Sequence, residues 1–136
     1  MKTLAIDTTG EDKSVALACD GKLLAEVSFR GDLFLEFWPH LEDFLSANQV
    51  KIKEIDCFAV NTGPGSWTGL RFGSAVVKGW AVATGRNVFG LPAVRIAGGG
   101  IICPLVAGTY AGGNPGLLLR RRSESGGFKV GLWSFA

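Results

Sequence analysis

Val60–Gly73 reads VNTGPGSWTGLRFG, and its organisation decides how the rest of the chain is read. An apolar run ends at Asn61, a Gly-Pro-Gly turn follows, and a helical pattern begins within a few residues. Upstream, Glu54–Asn61 (EIDCFAVN) is a strand whose buried run is Cys57, Phe58, Ala59 and Val60. Downstream, Leu70, Gly73, Val76, Val77, Trp80, Ala81 and Thr84 recur at helical spacing and form an apolar, small-residue face. Ser66 or Thr68 caps this helix and Gly85 ends it. Gly73 and Gly79 each cost about 1 kcal/mol against Ala inside a helix, so both are read as sites of close approach. Asn87–Leu91 is the next strand, closed by Pro92.

Moving toward the N-terminus, Thr3–Asp7 (TLAID) is a short buried strand feeding the polar turn Asp7-Thr8-Thr9-Gly10. Ser14–Cys19 is a second strand, Asp20-Gly21 a hairpin turn, and Lys22–Phe29 a third strand. Phe34, Phe37, Trp38, Leu41, Phe44 and Leu45 then repeat every three or four residues. This predicts a helix over roughly Phe34–Ala47 that ends at Asn48, with Pro39 marking either a start near Trp38 or a kink. The order β-β-β-α-β-α-β predicts an α/β layer: an antiparallel meander extended by two α-then-β units, with helices beside the sheet.

The bulk numbers suit one folded domain. The chain has 136 residues, 47% hydrophobic and 19% charged, with net charge +2. That total does not mark a dedicated nucleic-acid binder. Residues 1–96 hold 10 basic and 11 acidic residues; residues 97–136 hold 4 basic residues, one acid (Glu124) and 10 of the 20 glycines. The composition therefore changes near Ala97, giving an expected domain 1–97 and an atypical Gly-rich tail 98–136. In the tail, Ile101–Val106 is strand-like, while Gly112–Gly116, Arg120–Arg122 and Ser123–Gly127 read as loop. Cys19, Cys57 and Cys103 are read as free thiols of a reducing compartment. The opening residues lack a signal-peptide pattern, and no run approaches a membrane span, so a cytosolic protein is expected.

Two segments carry chemistry on paper. The Gly63-Pro64-Gly65-Ser66 turn leaves N–H groups at a helix N-terminus, a setting that favours an anion or a partner's carboxylate, and Arg71 adds a charge one turn later. The alternative is a tight turn with Ser66 and Thr68 as caps. Asp7, Thr8 and Thr9 either direct a magnesium-bound phosphate or form an Asx/ST turn. The turn is preferred, because one phosphate loop without its partners cannot grip ATP. His40, the only histidine, builds no metal or triad site by itself. On the helices, Phe34, Trp38, Leu41, Val76, Val77 and Trp80 belong either to a partner-binding face or to a wide core stripe.

AIDTTGEDKSVAL at 5–17 and NTGPGSWTGLRFGSAVVKGWA at 61–81 resemble the TsaB (YeaZ) family. That family writes the second motif GPGSFTGLRxG; Trp67 here replaces the usual Phe. The resemblance covers about Met1–Ala97, including the Asp-Gly hairpin, Ile55-Asp56 and Leu91-Pro92. It implies an ASKHA fold (actin, hexokinase and Hsp70-like, ribonuclease H-like) without a competent ATPase site of its own. It further implies a non-catalytic subunit with no cofactor, paired with the catalytic relative TsaD and the ATPase TsaE. ATP or ADP would then enter at the level of the complex, as would tRNA. The complex moves a threonylcarbamoyl group onto the adenosine beside the anticodon of ANN-decoding tRNAs. TsaB contributes an interface, mainly its two helices, and can self-associate. By resemblance, Asp7, Thr8, Thr9, Gly63, Pro64, Gly65, Ser66, Thr68, Gly69 and Arg71 form the motif that contacts nucleotide or partner.

Two departures stand out. Arg30-Gly31-Asp32-Leu33 lacks the histidine of the family's R-x-H-S-like stretch. Pro104–Gly108 stands where the family opens its second domain with a D-A-R-like strand, so the tail is expected to be a truncated or frameshifted second domain. The competing expectation is a fragment of an ASKHA phosphotransferase that holds nucleotide phosphates with Asp7 and the Gly63–Ser66 loop. The lack of a second phosphate loop and adenosine motif weighs against it.

Overall fold

The computed structural model describes residues 1–20, 22–91, 94–95, 101–106, 116–122 and 128–134, with side-chain detail as far as residue 90. The Asp20-Gly21 turn at Gly21, the Pro92 strand end, residues 112–115 and Ser123–Gly127 lie outside the described residues, as does the Cys103 side chain.

The first sheet has five strands: β1 (Lys2–Asp7), β2 (Lys13–Cys19), β3 (Lys22–Phe29), β4 (Cys57–Asn61) and β5 (Asn87–Leu91). Their order is β3-β2-β1-β4-β5. The first three are antiparallel, and β4 and β5 run parallel to β1. This is the expected meander extended by two α-then-β units. The helices are α1 (Leu33–Ala47) and α2 (Trp67–Thr84).

Strand pleat sorts the residues into two faces. Leu4 and Ile6 of β1 register against Leu17 and Val15 of β2 and against Phe58 and Val60 of β4. All six join one buried cluster with Leu33, Phe37, Leu41 and Phe44 of α1 and Val77 of α2. Both helices therefore cover the same face. The opposite face is small: Ala5 registers with Ala16 and with Ala59, and these three form their own buried cluster.

α1 starts at Leu33, five residues before the start that Pro39 suggested, and runs through the proline. The Asp32 carboxylate accepts from the N–H groups of Phe34 (2.9 Å) and Leu35 (3.1 Å) and fixes that start. An interior proline costs about 3 kcal/mol in a helix. Here the cap and four buried side chains on one stripe offset that cost. Asn48 closes the helix, its side-chain amide donating to the Phe44 carbonyl at 2.7 Å. β4 starts at Cys57, later than the expected Glu54, because Ile52–Glu54 form a 3-10 turn. The Glu54 carboxylate accepts from the Lys51 N–H at 2.7 Å and holds that turn.

A second, antiparallel sheet comprises β6 (Val94–Arg95), β7 (Ile101–Val106), β8 (Gly116–Arg122) and β9 (Phe128–Ser134) in that order. β7 matches the expected strand and approaches β1, β4 and β5. Arg120–Arg122, expected in a loop, belong to β8 instead. A seven-residue ladder pairs Gly116–Arg122 with Ser134–Phe128. The Leu117–Leu119 run is strand-forming, and the glycine content around it obscured that signal.

Phe37 is fully buried, so Phe37→Ala is expected to cost about 3–5 kcal/mol, whereas Leu24→Ala, at a side chain 58% exposed, should fall within about 0.5 kcal/mol of wild type. Urea denaturation of both variants checks the contrast, and equal losses would mean the core is misassigned. The Cys57 thiol is pushed up to about 11 by burial, with the Asp56 carboxylate adding to the shift. A thiol raised above its unfolded value favours the folded state below the unfolded pKa and loses that contribution as pH rises through the folded one. Stability should therefore fall above about pH 9 and through about 11. In native protein at neutral pH, peptide mass spectrometry after iodoacetamide treatment should find Cys19 alkylated well ahead of Cys57.

Candidate functional site

The quoted motif lies at the C-terminal ends of β1 and β4, where α2 begins. Ser66 caps α2, its hydroxyl accepting from the Gly69 N–H at 3.2 Å, so Ser66 and not Thr68 is the cap. Gly85 ends the helix in the left-handed region, as expected.

α2 enters directly over the Asp7-Thr8-Thr9 turn. The Thr8 hydroxyl donates to the Gly69 carbonyl at 2.6 Å, and the Ser66 N–H donates to the Thr9 carbonyl at 2.8 Å. The backbones approach so closely that a Cβ on Gly69 would lie 1.9 Å from the Thr8 carbonyl oxygen, and one on Gly65 2.6 Å from that of Thr9. Gly73 completes the row, since its Cβ would meet the Thr8 hydroxyl at 2.7 Å. Gly79 differs: a Cβ there meets nothing within 4 Å, so it does not serve the close approach expected of it. Gly63 sits at φ +97°, a conformation that strains any L side chain.

The polar groups beneath the loop satisfy one another. One Asp7 carboxylate oxygen accepts from the Thr9 N–H (3.0 Å) and the Thr9 hydroxyl (2.8 Å). The Asn61 side-chain amide donates to the Thr9 hydroxyl at 3.0 Å, and its oxygen accepts from the Gly63 N–H at 2.9 Å. Asp7, Thr8, Thr9 and Asn61 are all buried. This is the local turn preferred from sequence, and Asn61 is a member that sequence reading missed. Among the described residues, no group of three or more His, Cys, Asp and Glu side chains could hold a metal ion.

Above the turn, Pro64, Gly65, Ser66 and Thr68 are exposed. Trp67 is exposed as well, and the Arg71 guanidinium lies over its ring at 5.8 Å. Arg71 therefore pairs with an aromatic face.

The helix candidates divide. Leu41 and Val77 are core, 4% and 0% exposed, which corrects their placement on a partner face. Their positions on the helices turn them onto the sheet. Trp80 is half-buried with its ring 5.4 Å from that of Phe58, and Val76 is half-buried against the same core. Phe34 and Trp38 remain 60% and 47% exposed. Both lean on Phe72 of α2, Phe34 edge-on at 5.5 Å and Trp38 at 6.0 Å, and buried Phe37 meets the same ring at 5.0 Å. Phe72 is thus the hinge of the helix pair. It went unnoticed because it lies off the Gly73–Val77 stripe. Leu35 is exposed beside this cluster. His40 stacks on Phe29 at 4.4 Å with Nδ1 2.7 Å from the Glu36 carbonyl, a helix-edge role as expected.

Comparison with known proteins agrees with this arrangement. Residues 36–96 match the family model of TsaD, tRNA N6-adenosine threonylcarbamoyltransferase. The chain is 33% identical over 92 residues to the tRNA threonylcarbamoyladenosine biosynthesis protein TsaB of Escherichia coli, a match covering 67% of this chain and 40% of that protein. It is 32% identical over 80 residues to TsaB of Haemophilus influenzae, covering 57% of this chain and 34% of that one. The chain therefore spans well under half the length of the curated relatives it matches. Among solved structures, YeaZ from Pseudomonas aeruginosa superposes with a TM-score of 0.64 at 24% identity, covering 95% of this chain and 66% of that one. It shares the fold: a mixed α/β sheet of the ASKHA, ribonuclease H-like type. Sequence motif, sheet order and these relatives converge on the TsaB (YeaZ) family, which this chain resembles over about its first two thirds.

Proposed function

We propose that this chain is a non-catalytic subunit of the cytosolic assembly that makes threonylcarbamoyladenosine in tRNA. It binds and supports a TsaD-type catalytic subunit through α1 and α2. A TsaE-type ATPase and tRNA join at the level of the assembly, and ATP or ADP is held there and not by this chain alone. The supporting observation is the interlock at the motif. The α2 N-terminus, where an anion would otherwise sit, already receives the Thr9 carbonyl, and the Asp7 carboxylate is engaged by Thr9. The loop is tied to the end of the first strand by the Ser66 N–H, which donates to the Thr9 carbonyl. These contacts weigh against the alternative, a phosphotransferase fragment.

The helix pair supports the partner role. Phe34, Leu35 and Trp38 are large apolar side chains exposed on one helix, and Phe72 braces Phe34 and Trp38 from below. Large aromatics held in place by their neighbours lose little freedom on binding and dominate interface energetics.

Trp38→Ala is expected to weaken binding to a TsaD-type subunit by roughly 2 kcal/mol, about thirtyfold, with Phe34→Ala acting in the same direction. Calorimetric titration measures both, and binding within about twofold of wild type for folded variants would remove these residues from the interface. Gly69→Ala should lower stability by about 1–3 kcal/mol or more, because its methyl meets backbone and not a side chain that can turn away. Gly79→Ala should raise stability by about 1 kcal/mol. If thermal unfolding ranks the two glycines alike, the interlock is not what holds α2.

A further inference from the structure

We infer that one end of the second sheet binds the phosphate backbone of RNA through Arg95, Arg120, Arg121, Arg122 and Lys129. The choice of RNA over other polyanions rests on the proposed role in tRNA modification. The site itself rests on the sheet and belongs to this chain alone.

The sheet is of one sign. Its described strands, β6 to β9, carry those five basic residues and no Asp or Glu. Register gathers all five at one end. Val94, Ile102, Arg121 and Lys129 form a continuous row across the four strands. One step along, Arg95 pairs with Ile101 and Arg122 with Phe128; one step back, Arg120 stands between Cys103 and Val130. The other end is apolar: Leu105, Leu118 and Leu132 make one row, and Val106, Leu117 and Trp133 the next. Strand alternation puts Arg95, Arg120 and Arg122 on one face and Arg121 and Lys129 on the other.

This placement is costly without a counter-ion. Like charges directly opposite on neighbouring strands destabilise a sheet, and Arg121 stands directly opposite Lys129. Residues 97–136 contain one acid, Glu124, against four basic residues, so the segment cannot neutralise itself. A bound polyanion removes the penalty.

Three features select an extended chain of phosphates. The basic positions reach from β6 to β9, three strand spacings or about 14 Å, too far for a single phosphate to bridge. Four of the five are arginines, whose planar fork binds two phosphate oxygens at once. The charges also occupy both faces at one end of the sheet. A membrane surface engages one face, with apolar residues beside the charge, whereas a strand of phosphates running past the sheet end can use both. Contacts of this kind position RNA without reading its sequence.

Fluorescence anisotropy with a labelled tRNA transcript tests this on the full chain over a salt series. Wild type should bind with an affinity that falls linearly with salt on logarithmic axes. Arg120→Gln with Arg122→Gln should weaken binding about tenfold or more and reduce the slope by about 2. The charge-matched pair Lys51→Gln with Lys53→Gln, exposed on the first domain, should stay within about threefold of wild type. Arg120→Lys with Arg122→Lys should keep the wild-type slope. Thermal unfolding checks that the variants fold; if the arginine-to-glutamine pair does not, Lys129→Gln decides, with an expected loss of about 1 in slope. The inference is overturned if no binding appears at about 100 µM chain in low salt, or if both glutamine pairs weaken binding equally. It is also overturned if inorganic phosphate at matched ionic strength displaces the transcript, or if anionic phospholipid vesicles bind in place of tRNA. Binding to a TsaD-type subunit, measured in parallel, separates the two readings. A chain that binds that subunit but not tRNA overturns the sheet site alone, and one that binds tRNA but not the subunit overturns the partner role alone.

Discussion

The absence of a side chain at Gly69 is the constraint on which the rest of the first domain depends. With no Cβ there, α2 descends until its backbone touches the Thr8 carbonyl, and the Thr8 hydroxyl closes the contact by donating to the Gly69 carbonyl. This depth seats Val77 in the core and brings Phe72 beneath α1. The ring of Phe72 in turn props up Phe34 and Trp38, which reach solvent from a rigid base. A buried backbone contact thus determines the shape of an exposed surface.

The same contact bears on chemistry. Anions are drawn to a helix N-terminus because its first N–H groups have no partners in the helix. Here Thr9 supplies a carbonyl, Ser66 supplies a cap, and Asn61 ties the far side of the loop to Thr9. The motif joins the strand ends to the helix. On the helix pair, Phe34 and Trp38 are exposed and rest on Phe72, a surface suited to recognition by another protein. The proposed accessory role rests on that contrast between an internally bonded turn and an exposed helix face.

Much of this was legible in the residues. The apolar runs TLAID and SVALAC were legible as strands, and Gly85 and Asn48 marked both helix ends. The motif announced its strand, turn and helix. Other features depend on atoms distant in sequence. That Gly69 meets Thr8, and that Asn61 reaches Thr9, cannot be read from spacing, because the partners lie 61 and 52 residues apart. Leu41 and Val77 looked like interface because an apolar residue at helical spacing gives no sign of which neighbour covers it. The periodicity placed the start of α1 within one residue, and the Asp32 cap decides against the later start near Trp38 that Pro39 left open. In the tail, glycine and arginine drew attention from Leu117–Leu119, whose pairing with β9 is non-local.

Hydrogen exchange of the full chain, alone and with a TsaD-type subunit, tests the central claim most directly. Added protection is expected in α1 and α2, with β3 unchanged on the far edge of the sheet. No complex, or protection confined to the Gly63–Ser66 loop with the helices unaffected, would contradict the account.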